Sequence, residues 1–354
     1  MDKRRIKLIE DLTVAPGASG FEEAVAAAAL AYVEENGCAV PQGTDSLGNL
    51  YLDRIGNTGD KPVVMLDAHS DEVGFMVKAI NPNGTLGFIT LGGIRSERHE
   101  GQRVKVRSAS GAYVPGVISC RPPHFAKDGG SQGLVIDIGA TSAKEAKEVF
   151  GMRVGEPVTP DVPFHYDEAS GLIFTKALDC RIGCAAVITV LEQMVNEALA
   201  VDVKGVLSTQ EEIGDRGALV AANTVKPVAA IVFEGAPADD TFAPDHEIQT
   251  ALKKGPMLRL IDVSMVTNPR FARFAIDLAE ELDIPLQVAV RSGGGTNGGP
   301  IHITGAGVPC IVLSVPVRYI HSPNGIAAAV DFKNTVRLAE EILRRLDGET
   351  ISKF

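Results

Sequence analysis

The sequence predicts an α/β fold, a mixed and largely parallel sheet covered by helices on both faces, with an inserted small β-barrel. Three observations carry that prediction. Strand-length apolar runs alternate with helix-period segments through the second half of the chain, the pattern of strand–crossover–strand units. Between about Gly74 and Val162 the texture changes to short strands broken by "NPNG", "SASG" and "KDGGSQG", which reads as a small barrel or sandwich. The length, 354 residues, exceeds the roughly 150 typical of one domain, so more than one unit is expected. On this reading residues 1–73 and 163–354 form the α/β unit and residues 74–162 the insert.

The elements follow in order. The chain opens helical, and Ser19 with Glu22 makes a capping-box pattern ahead of "FEEAVAAAALAYVEEN", which stops at Gly37. A strand pair is expected around "AVPQGTDSLGNLYLDRIG", then a buried strand in "KPVVMLDAH". The insert contributes the short strands "GFMVKAI", "TLGFITL", "QRVKVRS", "GAYVPGVIS" and "GLVIDIG" and one brief helix, "SAKEAKEVFG", with a Ser142/Glu145 box. After Asp167 come the helix "CAAVITVLEQMVNEAL", the strand "VKGVLST", the helix "GALVAANTV" and the strand "VAAIVFEG". The helix "RFARFAIDLAEEL", strands in "LQVAVR" and "PCIVLSV", and the helix "DFKNTVRLAEEILRRL" complete the pattern.

Composition narrows the function. A formal net charge of −11 argues against a nucleic-acid partner. The longest apolar run, "AVAAAALAYV", falls far short of the ~20 residues of a membrane span, so no membrane association is expected. "MDKRRIKLIEDLTVAPG" lacks the apolar core of a signal peptide, and five cysteines are few and odd in number, so a disulfide framework is not expected and the chain reads as cytoplasmic. Cys180 and Cys184 read as small packing residues.

Polar residues gather where strands end. In open α/β sheets, sites form at the carboxyl ends of strands. Here those ends carry His69, followed by Ser70 and Asp71, then the adjacent Glu211 and Glu212, then Glu234, with His321 after the last strand. Asp179 opens a helix in "KALDCRIGC". Singly each has a plain reading: a packed histidine, a solvated acid, a helix cap. Jointly, two histidines and four carboxylates on one edge would repel one another without cations between them. Nitrogen and oxygen donors alone suit zinc, cobalt or manganese, and five ligands exceed the three that one catalytic zinc takes, which points to two ions sharing a carboxylate. Neighbouring side chains point in different directions, so Glu212 can turn to a metal while Glu211 attends the attacking water. Asp71 lies two residues beyond His69 on the same face of an extended chain, placed to hold its other ring nitrogen. "SGGGTNGG" lacks the Lys-Ser/Thr of a phosphate loop.

The segments "AHSDEVGF", "GVISCRPPH", "VIDIGA", "ALDCRIGC", "TQEEIGDRGA", "GGGTNGG" and "VPVRYIHSP" resemble the dinuclear-metal aminopeptidases that build tetrahedral particles, the glutamyl, leucyl and deblocking aminopeptidase family, over nearly the whole chain. The resemblance implies a zinc-exopeptidase-like fold with a PDZ-like insert that mediates dimerisation, dimers assembling into a dodecamer, and short peptides as substrates. It implies two divalent ions per subunit, zinc first with cobalt or manganese as alternatives. His69 and His321 then each end one metal site, Asp179 bridges, Glu212 and Glu234 flank, Glu211 is the general base and Asp71 supports His69. A related deacylase or carboxypeptidase is the alternative within the enzymes. Two departures stand out: Glu234 and Asn297 occupy positions where the family often has Asp. His124 reads as a surface residue, and Arg318 and Tyr319 are left without a role.

Overall fold

The computed structural model describes residues 1–119, 124 and 133–354. Helices α1 (Lys3–Val14) and α2 (Glu23–Asn36) precede the antiparallel pair β1 (Val40–Thr44) and β2 (Leu50–Asp53) and the buried β3 (Val63–His69). The chain then enters a barrel of β4 (Gly74–Ile80), β5 (Leu86–Leu91), β6 (Arg103–Arg107), β7 (Tyr113–Ser119) and β8 (Val135–Asp137), helix α3 (Ala143–Glu148), and β9 (Pro157–Pro160). It returns through β10 (His165–Asp167), β11 (Leu172–Thr175), α4 (Leu178–Gln193), β12 (Asp202–Ser208), α5 (Arg216–Val225) and β13 (Ala229–Pro237). Last come β14 (Met257–Ile261), α6 (Pro269–Glu281), β15 (Gln287–Val290), α7 (Gly298–His302), β16 (Cys310–Arg318), β17 (Gly325–Ala328), α8 (Ala329–Arg345) and α9 (Gly348–Ser352).

The main sheet has the order β1-β2-β12-β3-β13-β16-β17-β11-β10, with β14 on β16 and β15 on β14. Its centre, β12-β3-β13-β16, is parallel, and both flanks turn antiparallel. Parallel central strands put their carboxyl ends on one edge, and the register aligns them: Ser208 sits opposite His69, and Glu234 opposite Ser314. Both faces of the centre are covered. On one, α4 is apolar nearly all round and buries Val187, Ile188, Val190 and Leu191 against the sheet, the composition of a core helix. On the other, Ala218, Ala221 and Ala222 of α5 and Ile301 of α7 pack on Met65, Val206, Val232 and Val312. Among the described residues no helix is long and apolar enough to cross a membrane.

The insert is a closed antiparallel barrel, β4-β5-β8-β7-β6-β9, filled by Phe75, Val104, Val106, Ile118, Ile136 and Val158. Gly74 makes the crossing from sheet to barrel possible, since a Cβ there would lie 2.7 Å from the Val158 carbonyl oxygen. Only a few residues separate His69 at the end of β3 from the start of the barrel.

Three expectations need correction. Ser19 does not cap α2: its hydroxyl donates to Asp71 Oδ2 at 2.6 Å, and Glu22 Oε1 instead accepts the Gly20 N–H (2.7 Å) and the Gln210 N–H (3.1 Å). The tertiary partner outcompetes the local motif. Ser142 does cap α3, but Glu145 reaches back to Thr141 rather than to Ser142 itself. Helix α4 carries Asp179 in its first turn, as expected, but it stops at Gln193 and excludes the expected "NEAL". Periodicity also missed β9, β10, β11, β14 and β17, strands of three to five residues.

Candidate metal centre

Five elements deliver the predicted donors to one pocket. His69 ends β3, Glu211 and Glu212 follow β12, Glu234 lies within β13, Asp179 stands at the start of α4, and His321 follows β16. Asp179 has non-helical backbone angles (φ −87°, ψ 105°), which lets its side chain leave the helix line toward the strand ends. His69 Nε2 lies 3.4 Å from Asp179 Oδ1 and 3.6 Å from Glu234 Oε2, while His321 Nε2 lies 3.2 Å from Asp179 Oδ2 and 3.4 Å from Glu212 Oε2. Asp179 thus offers one oxygen to each of two His/Glu pairs. Glu211 Oε2 stands off at 3.8 Å from His69 Nε2.

Both histidines are held from behind. Asp71 Oδ1 lies 3.3 Å from His69 Nδ1, and the same carboxylate accepts the backbone N–H groups of Glu211 (3.0 Å) and Glu212 (3.1 Å). His321 Nδ1 faces the Gly93 carbonyl oxygen at 3.1 Å, so a barrel loop orients it. In each case an oxygen faces Nδ1 and leaves Nε2 turned toward the pocket. Gly92 permits that loop to approach: its φ is +87°, and a Cβ would sit 2.8 Å from Val73 Cγ1 and 3.2 Å from Glu212 Cβ.

The donor set fits divalent ions. Ligands at ~2.0–2.1 Å around a tetrahedral centre are separated by roughly 3.3–3.4 Å, which is the spacing of these Nε2 and carboxylate atoms and is long for a direct hydrogen bond. The buried oxygens Glu212 Oε1 and Glu234 Oε1 have no hydrogen-bond partner among the described residues, an expensive state for ionised groups unless a cation neutralises them. The protein alone compensates with protons. Burial, with the nearby Asp179 charge, pushes the Glu212 and Glu234 carboxyls up to about 8. Burial lifts Glu211 well above the carboxylate range, helped by Glu234, Glu212 and Asp179 and opposed by His69. Burial alone would lower His321, but the Asp179 and Glu212 carboxylates outweigh it and raise the imidazole to about 9. Asp179 goes the other way: burial is outweighed by both histidines, and its carboxyl is held well below the ordinary range.

Other residues take structural parts. The Cys180 and Cys184 thiols donate to the Phe233 and His69 carbonyl oxygens, each at 3.1 Å. Burial pushes both thiols far up, so they remain protonated packing residues even though Cys180 stands near the cluster. Asn297 is buried, donates to Asp67 Oδ2 (2.7 Å) and Ser208 Oγ (2.8 Å), and is not among the residues that line the cleft over the donors. Arg318 is taken by a two-pronged ion pair with Asp240, Tyr319 is 55% exposed and has no assigned part, and His124 lies exposed with its neighbours outside the described residues. A cleft of about 390 Å³ opens over the donors, lined also by Asp215, Arg259, Arg291 and Gly293 to Gly295. Asp215, Arg259 and Arg291 carry charge into the cleft and were not singled out by sequence. For Asp215 the signal was present, a third acid in "EEIGD".

Comparison with known proteins agrees with this geometry. Residues 48–338 match the family model of the M42 glutamyl aminopeptidases. A lysyl aminopeptidase of Pyrococcus furiosus is 32% identical over 96% of this chain and 97% of its own. A TET aminopeptidase from a marine sediment archaeon superposes with a TM-score of 0.92 at 38% identity, covering 99% of both chains. The TET1 peptidase of Pyrococcus horikoshii, described as assembling into a tetrahedron or a large octahedral shell, superposes at 0.85 with 28% identity over 97% of this chain and all of its own. With a shared fold, a family match across the sheet and barrel, and acids and histidines converging at the strand ends, the chain belongs to the M42 glutamyl aminopeptidase family and is a peptidase.

Proposed function

We propose that this protein is a metal-dependent aminopeptidase that removes the first residue of short peptides. In this reading His69, Asp179 and Glu234 hold one divalent ion and Asp179, Glu212 and His321 a second, zinc or, alternatively, cobalt or manganese. The observation that carries it is Asp179, whose two oxygens face two separate His/Glu pairs at 3.4 and 3.2 Å. Bound ions of this kind supply Lewis acidity toward the scissile carbonyl and lower the pKa of water. The remaining chemistry falls to the chain. Glu211, beside the donors but outside both sets, takes the proton of the attacking water and returns it to the departing amine. Asp71 holds His69 and, through two backbone N–H groups, fixes where Glu211 and Glu212 point. Carboxylates at the cleft receive the free amino terminus, which restricts cleavage to the chain end. We further propose that the unit spanning residues 74–162 pairs subunits into dimers that assemble into a dodecamer, a reading supported by the particle-forming neighbours.

The test is metal content measured beside hydrolysis of aminoacyl p-nitroanilides and peptides with zinc, cobalt and manganese in turn. Turnover of free but not N-acetylated peptides is expected. Equal cleavage of blocked peptides would favour a deacylase, and neither binding metal nor turning over any substrate would overturn the reading.

A further inference from the structure

Resting on the aminopeptidase reading, we infer that Glu22, at the head of α2, is a positioning residue for the loop that carries Glu211 and Glu212. That loop leaves β12 with four successive backbone N–H groups ending on side-chain oxygens. Thr209 donates to Asn49 Oδ1 (2.9 Å), Gln210 to Glu22 Oε1 (3.1 Å), Glu211 to Asp71 Oδ1 (3.0 Å) and Glu212 to Asp71 Oδ2 (3.1 Å). All three accepting side chains are buried. Within this run Gln210 has φ +58°, a left-handed backbone that a residue other than glycine keeps only where its surroundings impose it. Glu22 holds the N–H of that strained residue, one position before Glu211. Released there, the chain can relax toward ordinary backbone angles and carry the Glu211 carboxylate with it.

Glu22 can serve as a fixed point because the segment before it is pinned. Ala18 pairs with Glu72 in a parallel bridge, and the Glu72 N–H donates to the Gly17 carbonyl oxygen at 2.9 Å. The Phe21 N–H closes a turn on the Ala18 carbonyl oxygen at 2.8 Å. The Ser19 hydroxyl bonds the same Asp71 carboxylate that holds Glu211 and Glu212. From barrel strand β6, the Arg107 guanidinium lies 4.4 Å over the Phe21 ring centroid and is itself held by Glu156 at 2.8 Å. Residues 17–22 thus form a strap that joins the barrel to the loop after β12.

Capping α2 does not account for this glutamate. Its side chain makes no cap bond to the helix, and helix caps favour the shorter Ser, Thr, Asp and Asn. The added length instead brings Oε1 to Gln210, 188 positions away, while the same oxygen accepts the Gly20 N–H at 2.7 Å. Glu22 is not among the residues lining the cleft, so it acts through the loop and not on substrate.

Three substitutions separate reach from charge. Glu22→Gln keeps the length and one acceptor oxygen. Glu22→Asp keeps the charge but draws the oxygens back by one methylene, and Glu22→Ala keeps neither. With the metal-loaded enzyme and an aminoacyl p-nitroanilide, Glu22→Gln should stay within about threefold of wild-type kcat, since one oxygen accepts both N–H groups. Glu22→Asp and Glu22→Ala should lose about 10- to 100-fold in kcat. Their KM should move by less than about twofold and their metal content should match wild type, a split that general loss of folding would not produce. Hydrogen exchange of the peptide spanning 209–217 reads the loop without turnover, and should quicken in Glu22→Asp and Glu22→Ala but not in Glu22→Gln. Glu22→Gln as poor as Glu22→Ala, or Glu22→Asp matching wild type in kcat and exchange, overturns the inference. A protein that hydrolyses nothing refutes the aminopeptidase reading, and the exchange comparison then still decides the role of Glu22.

Discussion

The Asp71 carboxylate is fully buried, yet burial does not protonate it: His69, the Ser19 hydroxyl and the Glu211 N–H outweigh desolvation and hold it below its ordinary pKa. One side chain therefore ties the end of β3 to the loop after β12. Asp71→Asn sets an amide NH₂ or an uncharged oxygen against donors and removes the charge behind His69, so metal affinity should fall about 10- to 100-fold in a competitive chelator titration; unchanged affinity would count against the role. Glu211→Gln should retain both metal equivalents and lose about 10²- to 10⁴-fold in kcat, whereas His69→Ala and Glu212→Ala should lose bound metal, all readable by metal analysis beside peptidase rates. A metal-free Glu211→Gln protein would argue that Glu211 is a ligand and not the base. The adjacent glutamates could be picked out in sequence because two acids in a row stand where an apolar strand ends. The parts played by Ser19 and Gly93 could not, because their meaning lies in partners brought together by the fold: Ser19 bonds a residue 52 positions away and Gly93 one 228 away.

Between elements, the buried Glu72 joins α1 to the strand that leads into α4. Its carboxylate accepts from Lys176 and from the Gly17 N–H and lies 3.5 Å from Arg181 Nη2, while Arg181 also donates to the Leu12, Ala15 and Gly17 carbonyl oxygens. Two cations share one anion, so desolvation wins at the lysine and lowers its pKa to about 8. Glu72→Ala would leave both cations buried without a counter-charge and should cost about 3–5 kcal/mol, read as a lower denaturant midpoint; a midpoint within experimental error of wild type would show the network to be dispensable. Gly217→Ala tests the other side of the site. A Cβ there would lie 2.3 Å from the Thr209 carbonyl oxygen and 2.4 Å from Asn49 Oδ1. The end of β12 must shift, so turnover should drop through displaced Glu211 as well as stability through overpacking, about 1–3 kcal/mol. The alternation of long apolar runs and helices, and the turn-rich texture of the insert, were readable because both are local patterns. A mixed sheet with a strand pair near its start was readable too, but the antiparallel flank of β17, β11 and β10 was not, since pairing direction depends on which strands meet. Nor was the false capping box, where the local pattern lost to Asp71.

Across the whole molecule, the acids and histidines of the cleft couple folding to pH and to metal. In the metal-free chain Glu212 and Glu234 titrate at about 8 and His321 at about 9. Once unfolded they return to roughly 4.3 for glutamate and 6.5 for histidine. Between those limits the folded state holds protons that the unfolded chain has released, so its stability declines as pH climbs. Glutamates and histidines act in the same direction here, because both are raised. The acid limit is set by Asp179 and Asp71, which are lowered and whose contribution disappears only as pH drops through their depressed values. Divalent ions compete with protons for the same oxygens and nitrogens, so their binding strengthens with pH over the window in which the metal-free fold weakens. The melting temperature of chelated protein should therefore decrease from about pH 6 to about pH 9, while that of metal-loaded protein holds nearly level and the gap between them widens. A constant gap, or a metal-free melting temperature that climbs through that range, would mean that these side chains do not exchange protons for metal on folding, and the cleft would then need a different occupant.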